Sequence, residues 1–365
     1  MSIELIISLV KANIVLAVLL TNTILLIWFE RKVVAGMQSR VGPDRAGPFG
    51  ILQTLADAIK LLLKEQILPL KADRAMYLLA PLIALVPSFL IFMIIPLGPD
   101  ITVEWQNALY TIPLVGADLN VGVLYFLALS SIAVYSVVLA GWSSGSKYPL
   151  LGGVRASAQM ISYEAAMGLA LVPVILYSGS LSLVDIVNSQ SGNLSSSIPI
   201  LNTIVSFIPK WNIFPQFVAF GIFFIAAVAE VNRAPFDLVE AEQELVGGFH
   251  TEYSGFRFAM FFLAEYINMF NMCAITATFF LGGWLGPTFE GILPPIFSVI
   301  MPIIWLGVKT FLLLFVFVWI RATLPRLRYD QLMELGWKRM IPLSLVWLII
   351  SAIVLGLREF GLPLS

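Results

Sequence analysis

Acidic residues are concentrated in one loop between two apolar segments, and they are the side chains of this chain best suited to proton chemistry. The loop from 230 to 252 contains six carboxylates and one arginine, namely Glu230, Asp237, Glu240, Glu242, Glu244, Glu252 and Arg233. Charges beside a hydrocarbon interior are costly, so a simple membrane anchor has no reason to carry them. The spacing of Asp237 and Glu240 resembles a capping box, and Gly247-Gly248 is a stop signal, so we expect a short helix over 238–246. The alternative is a solvated acidic surface.

Further ionisable residues lie inside apolar segments. Glu265 lies ten residues into the sixth such segment, roughly 15 Å deep, and Lys309 precedes Arg321 by twelve residues, which places it roughly 18 Å from the same face. Glu164 lies near the inner end of the fourth segment, and Glu230 closes the fifth. Crowded carboxylates in a low dielectric share protons, so we expect proton transfer along these acids, with Lys309 and Glu265 in one polar track. The alternative for Lys309 is a lysine that nearby polar groups satisfy, without any part in transport.

The composition predicts an integral membrane protein. Hydrophobic residues make up 59% of the 365 residues and charged residues only 12%, whereas soluble domains carry about 25% charged residues. A helix needs about 20 apolar residues to cross the hydrocarbon layer, and long apolar runs favour helices over a β-barrel. We therefore expect an all-α fold, a single transmembrane domain over 1–365. The eight predicted spans lie near 12–29, 76–97, 121–141, 158–177, 213–230, 256–280, 297–320 and 340–357.

Lysine and arginine are distributed unevenly between the two sets of loops. The segments 31–75, 141–157, 231–257 and 321–339 contain 8, 2, 2 and 5 of them, while the opposite side contains only Lys11, Lys210 and Arg358. Basic residues favour the cytoplasmic side, so the acidic loop 231–254 is expected there. An even number of spans then places both termini on the outer side.

A short amphipathic helix is predicted over 49–63, after the first span. Its apolar residues recur at helical spacing, while Gln53, Asp57, Lys60 and Lys64 share the opposite face. It is too short and too charged to span, so we expect it along the inner membrane surface. With the charged residues of the basic loops, it could dock a soluble partner or border a cavity for an apolar molecule with a polar head. A plain interfacial anchor is the alternative.

Cysteine and histidine are too scarce for the common metal centres. Cys273 is the single cysteine and His250 the single histidine. One thiol holds neither an internal disulfide nor an iron–sulfur cluster, and a histidine without a Cys or His partner does not make a conventional zinc site. The sequence also lacks a Walker-type phosphate loop and a strand-borne G-x-G-x-x-G motif. We expect no metal site here, so any redox or nucleotide chemistry must belong to another subunit.

Several stretches together resemble one known family. They are the segments 30–32, 40–60, 155–164, 230–254, 264–266 and 319–331. Jointly they look like the membrane subunit at the heel of respiratory complex I, the proton-pumping NADH:quinone oxidoreductase, called the H subunit in bacteria and subunit 1 in mitochondria. The resemblance extends over nearly the whole chain.

The resemblance implies roles for the charged residues. The quinone chamber and its charged exit would comprise Arg31, Asp57, Arg233, Asp237, Glu240, Glu242, Glu244 and Arg321. The buried carboxylate chain of the family matches Glu164, Glu230 and Glu265, whereas Lys309 joins the proton pathway only through its predicted depth. Quinone would be the substrate, and flavin and iron–sulfur clusters would occur only in partner subunits.

The resemblance also implies partners and a location. Peripheral-arm quinone-site and iron–sulfur subunits would dock on the cytoplasmic side, with small and antiporter-like membrane subunits beside the chain, and nucleic acid is not an expected partner. The membrane would be the bacterial plasma (inner) membrane or its organellar equivalent. The outer loop 178–212 looks longer than in compact mitochondrial members, which affects lateral contacts only.

Other functions stay open at this point. Relatives of the family serve hydrogenase-linked and ferredoxin-linked complexes, although the Arg-Val-Gly-Pro segment at 40–43 and the His-Thr-Glu-Tyr segment at 250–253 look more like the quinone-reducing branch. A stand-alone ion transporter is disfavoured because no internal repeat is visible. A structural anchor that only docks a peripheral arm is the third class.

Overall fold

The computed structural model describes residues 3–105, 108–193, 209–237, 245–287 and 296–359. Helices dominate these ranges. They are α1 (Ile3–Met37), α2 (Gln53–Leu63), α3 (Arg74–Met93), α4 (Gly122–Ser143), α5 (Lys147–Ser178), α6 (Leu183–Ser189), α7 (Phe217–Glu230), α8 (Gly255–Phe280), α9 (Ile296–Thr323), α10 (Tyr329–Glu334) and α11 (Ile341–Glu359). Short 3-10 turns occur at Pro48–Gly50 and Gly248–His250, and a π-helical turn at Leu335–Met340 joins α10 to α11.

Seven described helices are long and apolar enough to cross a membrane, which confirms the predicted all-α membrane class. The fifth predicted span is different. It corresponds to α7, which has 14 residues and is therefore about 21 Å long, shorter than the hydrocarbon layer of about 30 Å. Because α7 ends early, Glu230 and the turn after it lie among the neighbouring helices.

Two helices form the centre of the bundle. Helix α5 packs against α4, α7 and α11, and α8 packs against α1, α3 and α9. Their shared core contains Phe126, Tyr163, Phe223 and Ile267, each at most 1% exposed. Lipid offers no hydrogen-bond partners, so each apolar segment satisfies its backbone within a helix. This packing holds the polar residues of α5, α7 and α8 in fixed positions inside the bundle.

The outer loops contain more structure than expected. We predict solvated loops over 98–120 and 178–212 from their polar composition, but β1 (Ile101–Trp105) and β2 (Ala108–Ile112) pair as an antiparallel hairpin. Helix α6 buries Leu183, Ile186 and Val187. For these parts the prediction is wrong, because apolar residues at helical spacing hold α6 on the bundle despite the serines around it.

The inner elements hold the loop that ends at α8. A Cβ atom on Gly152 of α5 would lie 2.7 Å from the Cα of Gly248, so only glycine allows this approach. The rings of Tyr77 and Tyr253 stack with centroids 4.1 Å apart, and the Tyr77 hydroxyl donates to the carbonyl oxygen of Glu252 at 2.8 Å. The predicted amphipathic helix is present as α2, while most of the helix predicted over 238–246 lies outside the described residues.

Candidate functional site

Charged side chains from four parts of the chain meet near the C-terminal end of α1, the end that the sequence predicts on the inner side. The Arg233 Nη1 atom lies 3.4 Å from the Oε1 atom of Glu30, and Arg321 of α9 pairs with the same oxygen. The Nε atom of Arg233 lies 2.7 Å from the Oε1 atom of Glu265 on α8. Arg321, Glu30, Arg233 and Glu265 therefore form one continuous chain of ion pairs, which we call the inner charge cluster.

The middle of this cluster is the most buried part. The side chains of Glu30 and Arg233 are 5% and 7% exposed, against 35% for Arg321 and 25% for Glu265. The Arg233 guanidinium also lies 4.4 Å from the ring centroid of Tyr266. Buried charges persist only where opposite charges and hydrogen bonds compensate for lost hydration. The cluster thus joins a more exposed end at Arg321 to an end at Glu265 inside the bundle.

A buried glutamine fixes the turn that carries Arg233. Gln159 of α5 donates from Nε2 to the carbonyl oxygens of Ala229 and Phe236, both at 2.8 Å, and to the Oδ1 atom of Asn232 at 3.1 Å. Asn232 has a φ of 53°, a left-handed conformation that asparagine tolerates better than most residues. These bonds determine where the chain turns after α7, and hence where Arg233 points.

A cavity of about 70 Å³ lies between α3, α4, α5, α7, α8 and the Gly248–His250 turn. Its lining comprises Ala84, Ala133, Ser136, Val137, Met160, Glu230, Val231, Asn232, Phe249, His250, Phe261, Phe262, Ala264, Glu265 and Asn268. A cavity of this size that is lined by several polar groups has room for water. Glu265 is therefore shared between the inner charge cluster and the cavity.

Glu230 and Glu164 continue the acidic series. Glu230 is 5% exposed, and its Oε2 atom has no hydrogen-bond partner among the residues the structure describes. Glu164 of α5 accepts hydrogen bonds from Ser130, at 3.3 Å, and from Ser131. The two carboxyl groups are close enough to interact electrostatically. The structure thus brings Glu265, Glu230 and Glu164 into one region.

Three more of the predicted site residues form two ion pairs nearer the surface. Arg31 and Asp57 lie 2.7 Å apart, with side chains 46% and 28% exposed, and Arg326 lies 3.3 Å from Asp237. Partial burial acts to raise the pKa of Asp57, but hydrogen bonds from Arg31 and Gln53 outweigh it and hold the pKa below its ordinary value. Exposed pairs of this kind contribute little to stability.

Lys309 lies far from Glu265, so the prediction of one polar track is wrong. Its Nζ atom donates to the carbonyl oxygens of Leu281 and Gly283, at 2.6 and 2.9 Å, and to that of Leu285. Leu281 follows Glu265 by sixteen residues, about 24 Å along a helix. The depth estimate fails because it takes Arg321 as a marker of the membrane surface, whereas Arg321 pairs with Glu30 close to the level of Glu265.

Three predicted site residues lie outside the described ranges, and two residues at the centre of the site are not among those predicted from the sequence. Glu240, Glu242 and Glu244 lie outside the described residues. Glu30 and Gln159 are buried at the centre of the site but were not predicted as site residues. An acid at the inner end of an apolar span was a usable signal for Glu30. Gln159 offered none, because its value depends on carbonyl oxygens that only the fold brings within reach.

Comparisons with known proteins identify the family of this chain. A family model described as NADH dehydrogenase matches residues 10–352. The second H subunit of NADH-quinone oxidoreductase from Koribacter versatilis is 47% identical over 362 residues, covering 97% of this chain and 98% of that protein. The first H subunit from Geobacter metallireducens is 48% identical over 357 residues, covering 98% and 99%, and the H subunit from Frankia casuarinae is 52% identical over 346 residues, covering 94% and 72%. The chain therefore belongs to the NADH dehydrogenase family, together with the H subunits of NADH-quinone oxidoreductases, as its motifs predict.

Proposed function

We propose that this chain binds the head of a lipid quinone beside the inner charge cluster and couples quinone reduction to proton translocation through Glu265, Glu230 and Glu164. One observation carries the proposal. Glu265 is paired with Arg233 on one side and borders the cavity that contains Glu230 on the other. A charge change at the Arg321 end therefore has a short, connected route to the carboxylates that border the cavity.

The magnitude of such a charge change is sufficient for coupling. A unit charge about 8 Å from a carboxylate changes its energy by about 2 kcal/mol at an effective dielectric of about 20. That energy alters proton occupancy more than tenfold. Arg233 contacts both Glu30 and Glu265, so a new negative charge beside Arg321 would change how Arg233 divides between the two acids. Glu265 would then take up or release a proton toward the cavity.

The residues of this chain indicate which parts of the reaction belong to partner subunits. An iron–sulfur cluster needs about four cysteine ligands and the sequence contains one, so we assign flavin and iron–sulfur chemistry to partner subunits. Docking of those subunits uses the side with α2, Arg31 and Asp57, which is the cytoplasmic side in the proposed orientation. Antiporter-like and small membrane subunits lie laterally, in a bacterial plasma membrane or an organellar one.

Replacing one buried carboxylate tests the proposal. We expect Glu230→Gln to leave assembly of the complex intact while lowering quinone-linked proton translocation at least tenfold, because the amide keeps the shape of the side chain but does not take up or release protons at neutral pH. Translocation is measured in membrane vesicles with NADH as donor, and the amount of complex by native electrophoresis.

The matched control is Glu334→Gln, the same substitution at an acid that is 52% exposed and paired with Lys338. It should pump like the unmodified complex. A Glu230→Gln complex that assembles and pumps normally would contradict the proposal, since the central carboxylate would then be dispensable.

A further inference from the structure

His250 borders the same cavity but has no place in the acidic series. It lies at the end of the Gly248–His250 turn, which Gly152 of α5 holds by close backbone contact. Three phenylalanine rings surround the imidazole edge-on, with centroid distances of 5.0 Å to Phe249, 5.3 Å to Phe258 and 6.5 Å to Phe262. The ring is therefore held in place by packing, with one side open to the cavity.

The polar atoms around the cavity point to water inside it. Among the described residues, neither the Glu230 Oε2 nor the Asn268 Oδ1 atom has a hydrogen-bond partner, and the His250 ring borders the same cavity. Buried polar atoms are almost always hydrogen-bonded, and a neutral imidazole offers one donor and one acceptor. Water in the cavity would satisfy all three residues at once.

We propose that His250 relays protons between Glu265 and Glu230 through this water. The inference rests on the proposed function and adds a proton carrier to it. Glu265 and Glu230 are the ionisable groups that face the imidazole across the cavity, from α8 and α7. The cavity walls from α3, α4 and α5 contribute Ala84, Ala133, Ser136, Val137 and Met160, which do not ionise at neutral pH.

Each transfer step conserves charge and leaves the histidine unchanged. The carboxyl group of Glu265 gives a proton through water to the unprotonated ring nitrogen, which leaves a carboxylate and an imidazolium. The imidazolium then gives a proton through water to the carboxylate of Glu230, and the neutral ring returns. Burial lowers the pKa of His250 to about 4, so the imidazolium exists only in passing and does not become trapped in an ion pair with either acid.

The relay is tested with two variants in the complete complex. His250→Phe keeps an aromatic ring among the phenylalanines but carries no proton, and we expect it to lower proton translocation at least tenfold with the amount of complex unchanged. His250→Gly leaves space for a free ring, and added imidazole should restore a measurable part of its translocation. Thiophene, an apolar ring of similar size, should restore none.

Controls separate this inference from the proposed function. Phe214→Leu changes an aromatic side chain that is 47% exposed and does not border the cavity, and it should pump normally. If Glu230→Gln fails to pump while His250→Phe pumps normally, the carboxylates act without a histidine and the relay is overturned. If His250→Gly responds equally to imidazole and thiophene, His250 only fills space, which also overturns it. Normal pumping by Glu230→Gln would instead reject the proposed function itself.

Discussion

Buried polar groups at the two ends of α8 differ in how completely they are hydrogen-bonded. At the outer end, Gln190 accepts from the backbone N–H groups of Asn212 and Gly282, at 3.1 and 3.0 Å, and donates to the carbonyl oxygens of Ile186 and Thr278, at 3.1 and 3.0 Å. Lys309 bonds three carbonyl oxygens of the turn that follows α8, the same turn whose Gly282 donates to this glutamine. We call Gln190, Asn212 and Lys309 the outer polar cluster.

At the inner end, some buried carboxylate oxygens have no hydrogen-bond partner among the described residues. The Oε2 atoms of Glu30 and Glu230 lack hydrogen-bond partners within the described ranges, although both residues are about 5% exposed. A fully satisfied network fixes one arrangement, while an incompletely satisfied one leaves room for protons, water or a ligand. The outer polar cluster is therefore suited to holding the fold, whereas the inner charge cluster has the unpartnered atoms that a change of state requires, although both lie beside α8.

The largest expected effect comes from removing the centre of the inner charge cluster. Arg233→Met leaves Glu30 and Glu265 without the cation that they share, and breaking a buried pair in this way costs about 3–5 kcal/mol. We expect little assembled complex and almost no quinone-linked NADH oxidation, measured in membranes by native electrophoresis and activity. Arg233→Lys keeps the charge but cannot hold two carboxylates in the same geometry, so it should assemble with partial activity.

The comparison would break if Arg233→Met assembled to normal levels with normal activity. Glu30 and Glu265 would then be satisfied by other groups, and the inner end of α8 would resemble the outer one. Loss of assembly alone would leave coupling undecided, which is why the activity of the lysine variant is measured per assembled complex.

Much of the fold follows from composition and periodicity, but the site follows only in part. Long apolar runs predict the helical membrane class because lipid excludes other arrangements of a spanning backbone. The crowding of acids near Glu230 is visible in the same way. Pairing is not visible, because Glu30 lies more than 200 residues from Arg233 along the chain, and Lys309 shows that depth counted along separate helices needs a common reference level.

A smaller effect is expected at the outer polar cluster. Lys309→Met removes the donor to three carbonyl oxygens, and unsatisfied buried acceptors cost about 1–3 kcal/mol. We expect a lower thermal unfolding temperature of the purified complex, with the number of protons moved per electron unchanged. A variant of normal thermal stability that moves fewer protons would reverse this assignment and return Lys309 to the proton pathway.

The smallest effect is expected at the ion pair between Arg31 and Asp57, which lies at the surface and belongs to neither cluster. Asp57→Asn removes the ion pair with Arg31, and exposed pairs contribute about 0.2–1 kcal/mol, less at high salt. Because the pKa of Asp57 is lowered in the folded chain, its stabilisation is present above the ordinary pKa of the carboxyl group and is lost as the pH falls through the lowered one. The difference in unfolding temperature between the Asp57→Asn variant and the unmodified protein should thus be small and constant from about pH 8 to 5, shrinking only below about pH 4.

A severalfold drop in quinone reduction by Asp57→Asn at unchanged thermal stability would show that this carboxylate acts on the substrate rather than on the fold. The functional region would then extend from the inner charge cluster to the surface of α2.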